Sequence, residues 1–266
     1  MGSDLPRPRK RTGAPRAVLS WSSGKDAAYA LHRLQVDGGY DVVALVTTVV
    51  SPTGRVATHG TRGELLVRQA ALTGVPLTRV VLPRSPSNVV YERAMASALR
   101  GFIDRGIRHM IFGDLFLDDI RRYRERQLAD VGMQCVFPLW GLETQRLARD
   151  MIASGLEARL VAVDTRRLPS SWAGRRFDTR LLDELPPGVD PCGENGEFHT
   201  FVTAGPMLRH PIPVRAGAIH EQEGVATAEL RYDPLPRPGR RIQREPRLHP
   251  GKRLSRGAFP RGGEGA

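Results

Sequence analysis

Residues 42–50 read Val-Val-Ala-Leu-Val-Thr-Thr-Val-Val, an almost unbroken apolar and β-branched run. A strand with one wet face alternates apolar and polar residues. One without alternation is covered on both faces, as in a parallel sheet sandwiched by helices. The surrounding chain fits that demand. Residues 17–21 form a short apolar strand, and a helical stretch follows from about residue 26 to 36. Residues 51–60 read as a loop, with Pro52, Gly54 and Gly60. A helix over 61–72 stops at Gly74-Val75-Pro76, where glycine and proline end it. Strands over 79–82 and 109–113 and helices over 87–105 and 118–130 complete the order β-α-β-α-β-α-β-α. That order predicts an α/β fold with a parallel, doubly wound sheet.

Past residue 132 the rhythm loosens. Strands over 135–139 and 158–163 flank a helix over 144–154, and Pro186-Pro187-Gly188 opens a polar run that ends at Thr200. Residues 201–232 read as short strands with turns at Gly205-Pro206, 211–213 and Gly224. The expected organisation is a parallel-sheet domain over 17–131 and a smaller C-terminal α+β domain over 132–235 that closes over the sheet edge.

A net charge of +12 suggests a polyanion partner until the charge is located. Residues 1–16 hold +4 and residues 236–266 hold +7, which leaves the 17–235 body near neutral at +1. Both ends are expected to be disordered, being basic and proline-rich without a hydrophobic period. They read as solvated tails, with a weak, salt-sensitive grip on RNA as the functional alternative. No apolar run approaches the ~20 residues of a membrane helix, and no secretory signal is expected at the N-terminus. Cys135 and Cys192 lack a Cys-x-x-Cys spacing. A disulfide framework or cysteine zinc site is therefore not expected, and a cytoplasmic location fits.

The sharpest local feature is Ser20-Trp21-Ser22-Ser23-Gly24-Lys25-Asp26, between the first strand and the first helix. An open parallel sheet binds ligands outside the carboxyl ends of its strands. A helix N-terminus offers free N–H groups and a positive dipole end to phosphate. Ser22 and Ser23 add hydroxyls, Gly24 allows close backbone approach, and Lys25 adds a charge. The Gly-x-x-x-x-Gly-Lys-Ser/Thr spacing of a Walker loop is absent. An ordinary strand–helix turn with an exposed lysine is the plain alternative. Further along, residues 190–200 read Asp-Pro-Cys-Gly-Glu-Asn-Gly-Glu-Phe-His-Thr, with two carboxylates, an amide and an imidazole between Glu194 and His199. A surface polar loop can look the same.

The first segment resembles the Ser-Gly-Gly-Lys-Asp-Ser loop of the PP-loop ATP pyrophosphatases, in the adenine nucleotide α-hydrolase superfamily. Ser23 stands in place of the first glycine and Ala27 in place of the last serine. Ser23 would strain the loop if that position needs a positive φ, and Ala27 removes a hydroxyl from the phosphate side. The Glu-Asn-Gly-Glu-Phe-His-Thr run resembles the C-terminal motif of the diphthine–ammonia ligase family. Gly113-Asp114-Leu115-Phe116, Arg121-Arg122-Tyr123-Arg124-Glu125, Phe137-Pro138-Leu139-Trp140 and Gly205-Pro206-Met207 resemble that family in the same order, as do His59-Gly60-Thr61-Arg62 and Gln69-Ala70. The likeness runs over about residues 17–215, and an arginine- and alanine-rich composition suggests a bacterial member.

The resemblance implies a HUP-like (Rossmann-like) sheet and a ligase that uses ATP and Mg²⁺. Such enzymes adenylate a carboxylate, release pyrophosphate, and let ammonia displace AMP to form an amide. The acceptor would be a carboxylate on a protein or metabolite. Ser20, Ser22, Ser23, Gly24 and Lys25 are expected to hold the phosphates. Asp26 is expected to face Mg²⁺ or orient the loop, and Thr47 and Thr48 to border the adenosine. His59, Gly113 and Asp114 join the nucleotide side by resemblance. Glu194, Asn195, Glu197 and His199 are expected on the ammonia side, where a carboxylate steers ammonium and an imidazole can take a proton. Two other readings compete: a PP-loop enzyme that adenylates an RNA base, and an ATP sensor without catalysis. The near-neutral body favours the ligase.

Overall fold

The computed structural model describes residues 13–57 and 60–234. Its first sheet holds β1 (Arg16–Ser20), β2 (Asp41–Val50), β3 (Arg55–Val56), β4 (Leu77–Leu82), β5 (His109–Ile111) and β6 (Gln134–Val136). The parallel strands lie in the order β4-β2-β1-β5-β6. The chain therefore works outward from β1 in one direction, then returns and works outward in the other. The order reverses between β1 and β5, and such a reversal opens a crevice at the strands' carboxyl ends.

Five helices connect these strands and lead on from β6: α1 (Lys25–Asp37), α2 (Gly63–Thr73), α3 (Asn88–Ile103), α4 (Asp118–Ala129) and α5 (Thr144–Ala153). The strand residues divide by parity. Ala17, Leu19, Leu45 and Ile111 pack with α1, α2 and α5. Val18, Ala44, Val46, Met110 and Phe112 pack with Leu99 and Phe102 of α3 and Leu128 of α4. The continuous apolar runs thus serve two cores at once, which is why they lack alternation.

The second sheet is antiparallel. β7 (Glu157–Asp164) is its centre, with β9 (Phe198–Ala204) on one edge and β8 (Arg176–Phe177) and β11 (Val225–Tyr232) on the other. Among the described residues, β10 (Val214–Gln222) pairs only with β11. A short helix, α6 (Thr179–Asp183), follows β8. Mixed α/β architecture with one mostly parallel sheet is what the sequence predicted; four details differ. The predicted 51–60 loop contains β3, which pairs antiparallel with the last two residues of β2. The parallel sheet takes in β6, beyond residue 131. The short strands expected over 201–232 are one hairpin of nine- and eight-residue strands, and β9 begins inside the polar motif at Phe198.

Candidate functional site

A cleft of about 280 Å³ opens at the carboxyl ends of β1 and β5, where the strand order reverses. Ser20, Trp21, Ser22, Lys25, Asp26 and Ala27 line it from the first loop and the start of α1. Thr47 and Thr48 line it from the end of β2, and Gly113 and Asp114 from beyond β5. Glu194, His199 and Thr200 come from the C-terminal motif. Segments more than 170 residues apart therefore meet, and direct bonds join them: Lys25 N–H donates to Thr200 Oγ1 at 3.0 Å.

The loop is built more from backbone than its sequence suggests. Ser23 has a φ of +71°, so the positive-φ demand suspected at this position is real and costs an L-residue ~1–2 kcal/mol. Its hydroxyl donates to Thr61 Oγ1 at 3.0 Å in a buried pocket. Ser23 thus faces away from the cleft, unlike Ser22. Gly24 caps α1 in an extended conformation. Gly113 lies against the first turn of α1. A Cβ there would sit 2.8 Å from Asp26 C and 2.9 Å from Ala27 N, so only glycine allows this approach.

Lys25 is 2% exposed. Its Nζ lies 2.9 Å from both Asp26 carboxylate oxygens and donates to the carbonyl of Cys192. Phe177 and Phe198 flank it at 5.7 and 5.5 Å. Burial pushes its pKa down, but Asp26, Cys192 and Glu194 together more than offset this and the net direction is up. The lysine is therefore charged and tied to the C-terminal motif. Asp26 is a quarter exposed; burial pushes its pKa up against the pull of Lys25.

Thr47 is 4% exposed, and its hydroxyl is buried without a hydrogen-bond partner in a wall of the cleft. A buried hydroxyl left unpaired costs ~1–3 kcal/mol, and a polar ligand in the cleft would remove that cost. Asp114 pairs with Arg124, whose guanidinium lies 3.0 Å from both carboxylate oxygens and 4.3 Å over the Phe112 ring.

In the C-terminal motif the side chains divide. Glu194 Oε1 accepts from Leu115 N–H at 2.8 Å. Burial raises its pKa to about 7, against that hydrogen bond, and the nearby Asp26 and Asp114 charges add to the rise. His199 is held below its ordinary pKa by burial and by Lys25, so it is neutral at pH 7. His199 and Thr200 both line the cleft, and opposite them β7 carries a register shift between Leu160 and Ala162, an irregularity common near sites.

Glu197 and Asn195 do not line the cleft. Glu197 is 1% exposed and its Oε1 accepts from Asp190 N–H at 3.0 Å and Asn195 Nδ2 at 3.3 Å. The two brace the turn that carries Glu194. His59 lies outside the described residues. Sequence reasoning missed the apolar wall of Tyr91, Met95, Met110 and Phe112, and it could not pick out Arg124 from its arginine-rich helix. Cys192 is buried with a raised pKa, which keeps its thiol protonated and unsuited to nucleophilic attack.

No cluster of three metal-ligating side chains exists among the described residues. Magnesium sites of one or two carboxylates completed by substrate phosphates need no such cluster. Asp26, which lines the cleft at the start of α1, would suit a cation held in that manner. No helix among the described residues is long and apolar enough to cross a membrane.

Comparison with known proteins bears on the same residues. The family model of the diphthamide synthase C-terminal domain matches residues 143–230, which include Glu194 and His199. Diphthine–ammonia ligase of Homo sapiens is 30% identical over 122 residues, covering 44% of this chain and 46% of that protein. Its Rattus norvegicus counterpart is 32% identical over 133 residues, 45% and 48% of the two chains. The chain spans about half the length of these two relatives. Diphthine–ammonia ligase of Danio rerio is 26% identical over 242 residues, 79% of this chain and 91% of that protein. The family resemblance drawn from the motifs holds.

Proposed function

We propose that this relative of the diphthine–ammonia ligases is an ATP-dependent amide ligase, with a HUP-like nucleotide domain and a C-terminal domain that carries the acceptor chemistry. The observation that carries the reading is the meeting of the Ser20-to-Asp26 loop with Glu194 and His199 in one cleft at the strand-order reversal. Phosphate would lie at the start of α1, over Ser20, Ser22, Gly24 and the first-turn backbone, where the helix dipole favours anions. Thr47 and Thr48 would border the nucleoside, and Gly113 and Asp114 would close the cleft beside it.

The acceptor carboxylate oxygen attacks the α-phosphorus, the α–β bridging P–O bond breaks, and pyrophosphate leaves. Lys25 brings a positive charge within the cleft and, through Cys192, joins the loop to the C-terminal motif. Asp26 would be the carboxylate to help hold Mg²⁺, which would supply positive charge for the departing pyrophosphate. Ammonia then adds to the acyl carbon and the acyl–oxygen bond breaks to release AMP. The proton lost from nitrogen goes to Glu194, whose pKa of about 7 suits it to accept a proton near neutral pH. Neutral His199 is the second acceptor within the cleft.

The test is the product set from α-labelled ATP, with and without ammonium and a carboxylate acceptor. AMP and pyrophosphate are expected, with AMP formation dependent on the acceptor. ADP and phosphate would refute the reading. One observation favours a non-catalytic ATP sensor instead: the Lys25 ammonium already has Asp26 and Cys192 as partners. Tight ATP binding without any AMP would decide for the sensor.

A further inference from the structure

Gln69 lies in the middle of α2 with none of its surface exposed, beside Leu65, Leu66 and Ala70 on the buried face of the helix. A primary amide so placed must have its polar groups met. Its Oε1 accepts from Trp21 Nε1 at 2.9 Å. Its Nε2 donates to Ser23 O at 3.0 Å and to Val202 O at 2.8 Å. An indole N–H only donates and a carbonyl only accepts, so these partners fix which end of the amide is oxygen. Val202 N–H donates to the same Ser23 carbonyl at 3.1 Å. That carbonyl thus has two donors, neither from a residue that lines the cleft.

Ser23 occupies the costly positive-φ region. The Ser23–Gly24 peptide turns about ψ of Ser23 and φ of Gly24, and glycine resists such a turn little. The same rotation would turn the carbonyl lone pairs toward the start of α1, where an anion would meet repulsion instead of N–H groups. We propose that Gln69 is a positioning residue for the phosphate loop: by holding the Ser23 carbonyl away from the cleft, it keeps the loop in its anion-accepting form. The proposal rests on the ATP reading above.

The experiment uses the full chain and four proteins: parent, Gln69→Leu, Gln69→Glu and Leu66→Ala. Leu66 is fully buried on the same helix and does not line the cleft. Melting temperature, ATP affinity by calorimetry, and KM and kcat for pyrophosphate release are measured. Gln69→Leu should weaken ATP binding by roughly tenfold or more and raise KM with kcat little changed. Leu66→Ala should lower the melting temperature while ATP affinity stays within about twofold. The carboxyl introduced by Gln69→Glu is buried, so it is protonated at pH 6 and keeps one donor. That variant should bind ATP better at pH 6 than at pH 8.5, beyond any change in the parent. Parental ATP affinity in folded Gln69→Leu, or an equal loss in Leu66→Ala, overturns the proposal. If Gln69→Leu does not fold, a flat pH series in Gln69→Glu overturns it. A parent that binds no ATP refutes the ATP reading itself, and is distinguished by failing before any variant is compared.

Discussion

The two banks of the cleft solve different problems. On the bank formed by β1 and α1, some polar side chains are already occupied: Lys25 by Asp26 and Cys192, and Ser23 by Thr61. What remains for a ligand there is the Ser20 and Ser22 hydroxyls, backbone geometry and the helix N-terminus. On the bank formed by the 190–200 segment, burial leaves Glu194 near neutrality and His199 uncharged. One bank is rigid and suited to holding a constant group such as phosphate; the other holds groups that can take up or give up a proton. Binding and proton transfer should therefore respond to different mutations.

The largest expected effect is on the second bank. Glu194→Gln should lower the ammonia-dependent rate by about 10²–10⁴-fold, the usual contribution of a positioned base, with ATP affinity unchanged. At fixed free ammonia, the parent rate should rise with pH through about 7, as the carboxylate ionises, and the variant should lose that limb. Stability carries a matching sign. The folded pKa is raised from 4.5 to about 7, so between those values the native state binds the proton more tightly than the unfolded chain. Stability contributed by that proton is present below pH 4.5 and lost as pH rises through 7. Glu194→Gln should therefore melt higher than the parent above pH 7, and a pH-independent difference would refute the assignment.

Next comes Lys25→Met, which should act on stability before it acts on binding. Breaking a buried pair costs about 3–5 kcal/mol, and the quarter exposure of Asp26 places this one at the lower end. A urea titration should show the loss, and adding Asp26→Leu should recover most of it. A single variant as stable as the parent would mean that the ammonium is not held by these groups, and that the first bank presents a free charge after all.

The banks also differ in how far they could be read from the chain. The Ser20-to-Asp26 loop and the parallel sheet were legible because both are local: a doubly buried strand must be continuously apolar, and the loop's residues are contiguous. The second bank was legible only as a list of residue types. Glu194 and Glu197 are three residues apart and chemically alike, yet one faces the cleft and the other closes a turn. The direction of each is held by its own distant or looped contact, Leu115 for Glu194 and Asp190 for Glu197, and neither contact leaves a periodic trace. Arg124 was hidden for the same reason among its neighbours on α4. β10 was under-read because its residues are mostly exposed and carry no apolar alternation.

Gly113→Ala tests the rigidity of the first bank. The added methyl would meet Asp26 and Ala27 backbone at under 3 Å, so α1 or the β5 end must shift. Overpacking of this kind costs ~1–3 kcal/mol, and ATP affinity should fall with it. Unchanged affinity with lowered stability would show that phosphate does not contact the first turn of α1.

The smallest effect is expected from Ala27→Ser. Ala27 lines the cleft in the first turn of α1 and is 5% exposed. A hydroxyl there replaces one hydrogen on Cβ, close enough in size that the tight contact with Gly113 need not move. A hydrogen bond to a charged group is worth ~1.5–3 kcal/mol, less the cost of drying the hydroxyl. The net should be a few-fold tightening of ATP, with melting temperature almost unmoved because serine and alanine differ little near a helix start. Calorimetry with ATP, AMP and pyrophosphate separates the contributions: tightening should follow ATP and pyrophosphate and be absent for AMP. If AMP tightens equally, the α-phosphate lies at the helix start and the pyrophosphate must sit nearer the 190–200 bank. That result would erase the division between a holding bank and a proton-transfer bank, because the leaving group would then lie among the groups with shifted pKa.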